Sequence, residues 1–273
     1  MNTHKQDNPS RLGSALETLV SKECHTLQRA LTARKDRQKG IHDARKSCRR
    51  LRSALPLLPS SASTEALDQS LRDLLHSFAP LRDAYMATRT ARLLATHHQT
   101  RMTPSILHDL DERAERTLNT ALDDDPDWRD RRAEAHRIIP ALKALPWRAI
   151  HTSSARKTLK KAKRKMKKAR GEAQAQRTPE DFHRWRRRAR KLRYQLQWLR
   201  NARRDAGMKK TKTKAYGDRA RQLRSLTDQL GWRQDFQIFM QAVERLPDNA
   251  EVLALRRDLK ANSASWSKSQ PQS

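Results

Sequence analysis

Two eighteen-residue stretches, lying 141 residues apart, constrain this chain more than any other feature. The first, residues 41–58, reads IHDARKSCRRLRSALPLL. On a helix at about 100° per residue, Ala44, Cys48, Leu51, Leu55 and Leu58 fall within about 80° of one another, a narrow apolar stripe. His42, Arg45, Arg49 and Arg52 form a second stripe roughly a third of a turn away, flanked by Lys46 and Arg50. A helix with this pattern buries one face and presents an ordered row of cations beside it.

The second stretch, residues 182–199, reads FHRWRRRARKLRYQLQWL. At the fixed offset His42 aligns with His183, Arg45 with Arg186, Arg49 with Arg190 and Arg52 with Arg193. Lys46 aligns with Arg187 and Arg50 with Lys191, while Leu51, Leu55 and Leu58 align with Leu192, Leu196 and Leu199. Downstream, SFAPLRDAY at 77–85 resembles QLGWRQDFQ at 229–237, with Asp83 over Asp235. Similarity kept in order over such a length marks two copies of one helical unit. A pseudo-twofold arrangement would bring the two cation rows face to face across a groove.

The rest of the chain supports a helical host for these rows. Gly is scarce, Ala, Leu, Arg, Lys and Gln dominate, and no run of alternating β-branched residues stands out, so the expected fold is all-α. Helices are expected at about 10–33, 41–58, 64–78, 81–98, 104–122, 127–145, 152–170, 179–204, 215–230, 233–246 and 248–261. Ser10 serves as the first N-cap and Pro179 as a first-turn residue. Asp83 is placed in the first turn of its helix, Gly171 and Gly231 as helix stops, 206–214 as a flexible loop, and the end of the chain as a disordered tail. Without a long linker, the repeats, about 10–145 and 151–247, read as one packed domain over 10–247, followed by 248–273.

Net charge is +30. Residues 1–140 hold 24 basic and 19 acidic residues, whereas 141–273 hold 36 basic and 11 acidic. Such a located excess calls for a polyanion: nucleic acid, an anionic membrane surface or an inorganic phosphate polymer. The basic helix at 152–170 adds Arg156, Lys160, Lys163 and Lys167 on one side as candidate groove-lining residues. Cys24 and Cys48 form no CxxC pair, and Cys48 lies on the apolar stripe as a core residue. Neither Cys24–His25 nor His97–His98 completes a ligand set, so no metal is expected. No apolar span or leader is read, which points to a cytoplasmic protein away from the membrane. Trp185, Trp198, Trp232 and Tyr194 fall on or near apolar stripes, as core rather than base-stacking residues.

The HxxRxxxRRLR pattern at 42–52, the HxxRxxxRKLRY pattern at 183–194 and the Leu/Asp block after each resemble the CHAD family of histidine-containing α-helical domains. The resemblance runs over about 10–247. It implies two helical bundles around a central basic cavity, binding of inorganic polyphosphate and, for some members, a place on polyphosphate granules. By motif position it implies His42, Arg45, Arg49, Arg50, Arg52, His183, Arg186, Arg190, Lys191 and Arg193 as binding residues, with Lys46 and Arg187 beside them. The sequence departs from the pattern at Arg184 and Trp185, and Ala79 stands where the second copy has Gly231.

The chemistry of the rows suits that ligand. Polyphosphate is a flexible chain of singly charged phosphates without bases, so its binder needs closely spaced cations along a path. Arginine offers a planar fork matched to pairs of phosphate oxygens. Positions i, i+3, i+7 and i+10 set four such side chains along about 15 Å of helix. No GxxxxGK[ST], HExxH or GxSxG motif and no paired acidic cluster is present, nor the Glu-x-Glu-x-Lys strand of triphosphate-cleaving tunnel enzymes. The expectation is a non-catalytic polyphosphate binder without a cofactor; the alternative is a basic helical protein associated with nucleic acid.

Overall fold

The computed structural model of the protein describes residues 10–33, 35–96 and 102–266, the last three by backbone alone. His97 and His98, and the end of the expected tail, lie outside them. The described residues form ten α-helices joined by turns and short 3₁₀ segments, with no strand among them. The all-α expectation holds.

The helices begin where local chemistry dictates. Ser10 caps α1 (Arg11–Leu31), accepting the Gly13 N–H at 2.9 Å. Asp36 caps α2 (Arg37–Ala54) through the Lys39 N–H, four residues before the expected start. Pro56 turns the end of α2 into a 3₁₀ segment, Leu55–Leu57. Ser61 and Thr64 form a reciprocal capping box at α3 (Ala62–His76). Then come α4 (Ala79–Thr96), α5 (Pro104–Asp124), α6 (Arg129–Ala144) and α7 (Thr152–Gln176). Thr178 caps α8 (Pro179–Asp205), with Pro179 opening it and Glu180 and Asp181 in the first turn. The chain closes with α9 (Lys210–Val243) and α10 (Ala250–Trp266).

Several expected boundaries move. Gly171 does not end α7: Met166, Ala169 and Ala173 carry the buried stripe past it, and Arg177 in the left-handed region (φ 56°) terminates the helix. The 206–214 loop shrinks because α9 starts at Lys210. The two helices expected at 215–230 and 233–246 are one, ending at Val243, with Gly231 in its interior. α10 runs to Trp266, five residues past its expected end. Asp83 lies beyond the first turn of α4.

The α9 misreading has a physical cause. Ala220 and Leu223 face one core, shared with α7 and α8. Trp232, Phe236, Phe239 and Val243 face another, shared with α4, α5 and α10. The two faces point in nearly opposite directions, so the apolar stripe changes sides and no single periodicity covers the helix.

The third core is built from α1, α2, α3 and α6 and is completed by Trp198, Leu199 and Ala202 of α8. Two of the three cores therefore draw on both sequence halves. α8 packs against α1, α2, α7 and α9 at once. Trp198 is buried and its Nε1–H donates to the Arg50 carbonyl at 3.0 Å, tying the two basic helices together directly. Cys24 and Cys48 are buried free thiols, with pKa values pushed up to about 12 chiefly by burial.

Candidate functional site

Once α2 and α8 bury their apolar stripes in the cores, each cation row faces the interior edge of its own helix pair. The matched residues Arg45 and Arg186 make matched bonds. Arg45 Nη1 donates to the Leu75 carbonyl at 2.8 Å, near the end of α3. Arg186 Nε donates to the Thr227 carbonyl at 3.2 Å, in α9. Leu75 and Thr227 are equivalent under the alignment of the downstream blocks, so both copies use one arginine to tether the cation helix to its neighbour. Arg186 also donates to the side-chain carbonyl of Gln234.

Arg49 and Arg190, the next pair along the rows, differ from these. Neither makes a hydrogen bond or ion pair among the described residues. Arg49 lowers the pKa of Arg190, Arg45, Arg82 and Arg186 lower that of Arg49, and the buried Tyr194 raises both. Burial is the larger cause in all four arginines: Arg45, Arg49 and Arg190 are lowered to about 10 and Arg186 to about 9, with neighbouring guanidinium groups adding to the effect. All four remain charged at neutral pH. The structure thus gathers largely buried like charges from α2 and α8.

Arg82 of α4 completes the cluster, contributing to the lowered pKa of all four. It is held by both repeat-matched aspartates, Asp83 at 2.9 Å and Asp235 closer still. A single arginine thus serves both acids. Sequence reasoning missed Arg82 although it precedes the matched Asp83; its counterpart is Gln234, which breaks the basic pattern. Gln234 was missed with it. Arg89, which lowers His42, was missed as well, because nothing in its spacing repeats.

The remaining row residues divide. Arg52 is committed to a bidentate pair with Asp68, at 3.1 and 2.9 Å. Arg50 pairs with Glu23 at 2.7 Å and lies over the Trp198 ring, away from the cluster. Arg193 donates to Thr227 Oγ1 at 3.0 Å and stacks over Tyr194, its buried Nε unpartnered. Lys46 and Arg187 are exposed. Lys191 faces Asp68, Arg52, Arg188 and Lys165 rather than the Arg49–Arg190 cluster.

His42 and His183 are both held below the ordinary imidazole value, first by desolvation. Around His42, Asp43 partly offsets the effects of Lys46, Arg49 and Arg89. Around His183, Arg187, Arg186 and Arg190 lower the value and a hydrogen bond with Gln234 opposes them. Arg156, Lys160, Lys163 and Lys167 all stand on exposed faces of α7. The α7 cations that line a cavity are instead Lys161 and Lys165. Of the aromatic residues, Trp198, Trp232 and Tyr194 are buried, as a core role requires; Trp185 is half-buried.

Among the described residues, no group of three or more His, Cys, Asp or Glu could hold a metal ion, and no helix is long and apolar enough to cross a membrane. These features define an all-helical, strongly basic protein with an arginine cluster drawn from α2, α4 and α8. The CHAD domain family model matches residues 18–244, and the chain belongs to the CHAD family. CHAD domains are associated with polyphosphate binding. Neither a curated protein nor a solved structure matches the chain.

Proposed function

We propose that the protein binds inorganic polyphosphate without acting on it, gripping the polymer between the α2 and α8 rows. The observation that carries this reading is the Arg49–Arg190 pair: two guanidinium groups from equivalent positions, largely desolvated, mutually repelling and without a protein partner. An anion there restores the lost solvation and offers each fork a pair of oxygens. Arg45, Arg186 and Arg82 extend the positive surface, while His42 and His183 stand near the starts of the rows. Nothing in the cluster resembles a nucleophile with an adjacent base. The burial of Trp198, Trp232 and Tyr194 leaves them unsuited as platforms for nucleic-acid bases.

Titration with long-chain polyphosphate tests the proposal. Arg49→Glu with Arg190→Glu abolishes binding while helicity by circular dichroism is kept. Reversal of Lys209 and Lys210, exposed ahead of and at the start of α9, leaves binding within about threefold, because isolated surface charges are screened. Equal loss from both pairs would reduce the site to diffuse charge. Polyphosphate displaces single-stranded RNA at about 150 mM salt far better than the reverse. Phosphate release with Mg²⁺ present would overturn the non-catalytic part.

A further inference from the structure

A cavity of about 560 Å³ lies where α3, α7 and α8 meet the 3₁₀ segment after α2. Its chemistry differs from that of the arginine cluster. One side carries Lys161, Lys165, Arg188 and Lys191, none of which makes an ion pair among the described residues. The acids at its edge are already engaged: Asp68 by Arg52 and Arg72, and Glu65 by the Ser60 hydroxyl. That side therefore presents net positive charge to whatever enters.

The lining also has an apolar part, formed by Leu55, Pro56 and Leu58. Gln195 completes this lining. It is 1 % exposed, it lines the cavity, and its Oε1 has no hydrogen-bond partner. A buried amide left unpaired is costly, and a native structure retains one where a ligand or water completes it. A linear phosphate chain has no use for an apolar wall and offers no N–H to an amide oxygen. A phosphorylated ring compound uses all three features: phosphates on the lysine side, the flat ring on the leucine–proline side, and ring donors and acceptors on Gln195. The volume falls in the range of small-molecule sites.

We infer that this cavity is a binding site for a nucleoside polyphosphate, separate from the Arg49–Arg190 cluster. The base lies against Leu55, Pro56 and Leu58, the Gln195 amide reads its edge, and Lys161, Lys165, Arg188 and Lys191 hold the phosphates.

The experiment uses the full chain carrying Arg49→Glu and Arg190→Glu, so that the cluster contributes nothing and the outcome does not depend on the polyphosphate reading. Isothermal titration with adenosine and guanosine triphosphates gives one site per chain. Adding Lys161→Ala and Lys165→Ala weakens both nucleotides and tripolyphosphate by about tenfold or more, through lost charge-assisted bonds. Adding Gln195→Leu weakens the nucleotides by about tenfold and leaves tripolyphosphate unchanged. Leucine replaces an unpaired buried amide, so the fold withstands this change, and unchanged urea unfolding checks it. Tripolyphosphate binding as tightly as both nucleotides, nucleotide affinity indifferent to Gln195, or no nucleotide binding at all would each overturn the inference.

Discussion

Gly231 has no side chain where Arg186 needs room: a Cβ there would lie 2.6 Å from an Arg186 Nη atom. The glycine sits inside α9, where alanine is worth about 1 kcal/mol more to a helix. Its retention in the interior is accounted for by the guanidinium crossing over it to reach the Thr227 carbonyl and Gln234. The first copy has Ala79 at this place and Arg82 in place of Gln234, and Arg45 is tethered to Leu75 alone among these elements. Gly231→Ala therefore displaces Arg186. The helix gain offsets the loss of its bonds, at about 1 kcal/mol each, so unfolding free energy changes by less than about 1 kcal/mol, while polyphosphate affinity falls about tenfold. Calorimetric titration beside urea unfolding separates the two effects. Unchanged affinity would mean that the position of Arg186 is immaterial.

The Arg49–Arg190 repulsion makes a second prediction, about the protein without ligand. Replacing both by methionine keeps much of the apolar stem and removes two desolvated charges that lack protein partners. Such sites trade stability for binding, and relieving them commonly gains about 0.5–2 kcal/mol. The double variant is expected to unfold at higher urea than the wild type at low salt. The difference narrows at high salt, where residual repulsion is screened. It fails to bind polyphosphate. A variant less stable than the wild type at low salt would show that these arginines contribute to the fold.

Much of this arrangement was legible in the sequence, for reasons particular residues illustrate. The rows stood out because His42, Arg45, Arg49 and Arg52 recur in order as His183, Arg186, Arg190 and Arg193, and repetition survives without knowledge of packing. What each cation does was not legible. Arg45 and Arg49 look alike in the pattern, yet one is bonded to a carbonyl thirty residues away and the other has no hydrogen-bond or ion-pair partner among the described residues. Arg50 and Arg52 drop into ion pairs because Glu23 and Asp68 arrive from α1 and α3. Lys161 and Lys165 rather than Lys160 and Lys163 line a cavity because the buried stripe of α7, through Ala155, Ala162 and Met166, fixes the helix rotation. Tertiary partners at long sequence separation decide each of these outcomes.

Arg82 and Asp235 are expected to move binding in opposite directions. Asp235→Asn removes a carboxylate beside Arg186 and Arg82. It leaves the cluster more positive, tightening polyphosphate binding about threefold to tenfold while costing about 1–3 kcal/mol of stability through the broken, largely buried pair. Arg82→Gln reproduces the residue that Gln234 supplies in the second copy. It removes a cation and leaves Asp83 and Asp235 facing the cluster, so binding weakens about tenfold or more. Filter-binding titrations at two salt concentrations report both. Movement in the same direction would place Arg82 outside the binding surface.

The histidines set the pH response, and its sign follows from their surroundings. Burial and the neighbouring cations hold the free-state pKa of His42 and His183 below the usual value, with Asp43 and Gln234 opposing in part. Both are therefore largely neutral at pH 7. A bound phosphate beside either ring favours the imidazolium and raises its pKa, so binding takes up protons. Affinity must then increase as pH falls through the bound-state pKa, and level off once pH is below the free-state value. An increase of about tenfold between pH 7.5 and 5.5 corresponds to a combined shift of about one pKa unit. The arginines, charged throughout this range, contribute no slope, and His42→Ala with His183→Ala flattens the curve without abolishing binding. Dissociation constants measured across this range for both proteins decide the matter: a wild-type dependence no steeper than that of the double variant would remove the histidines from the site.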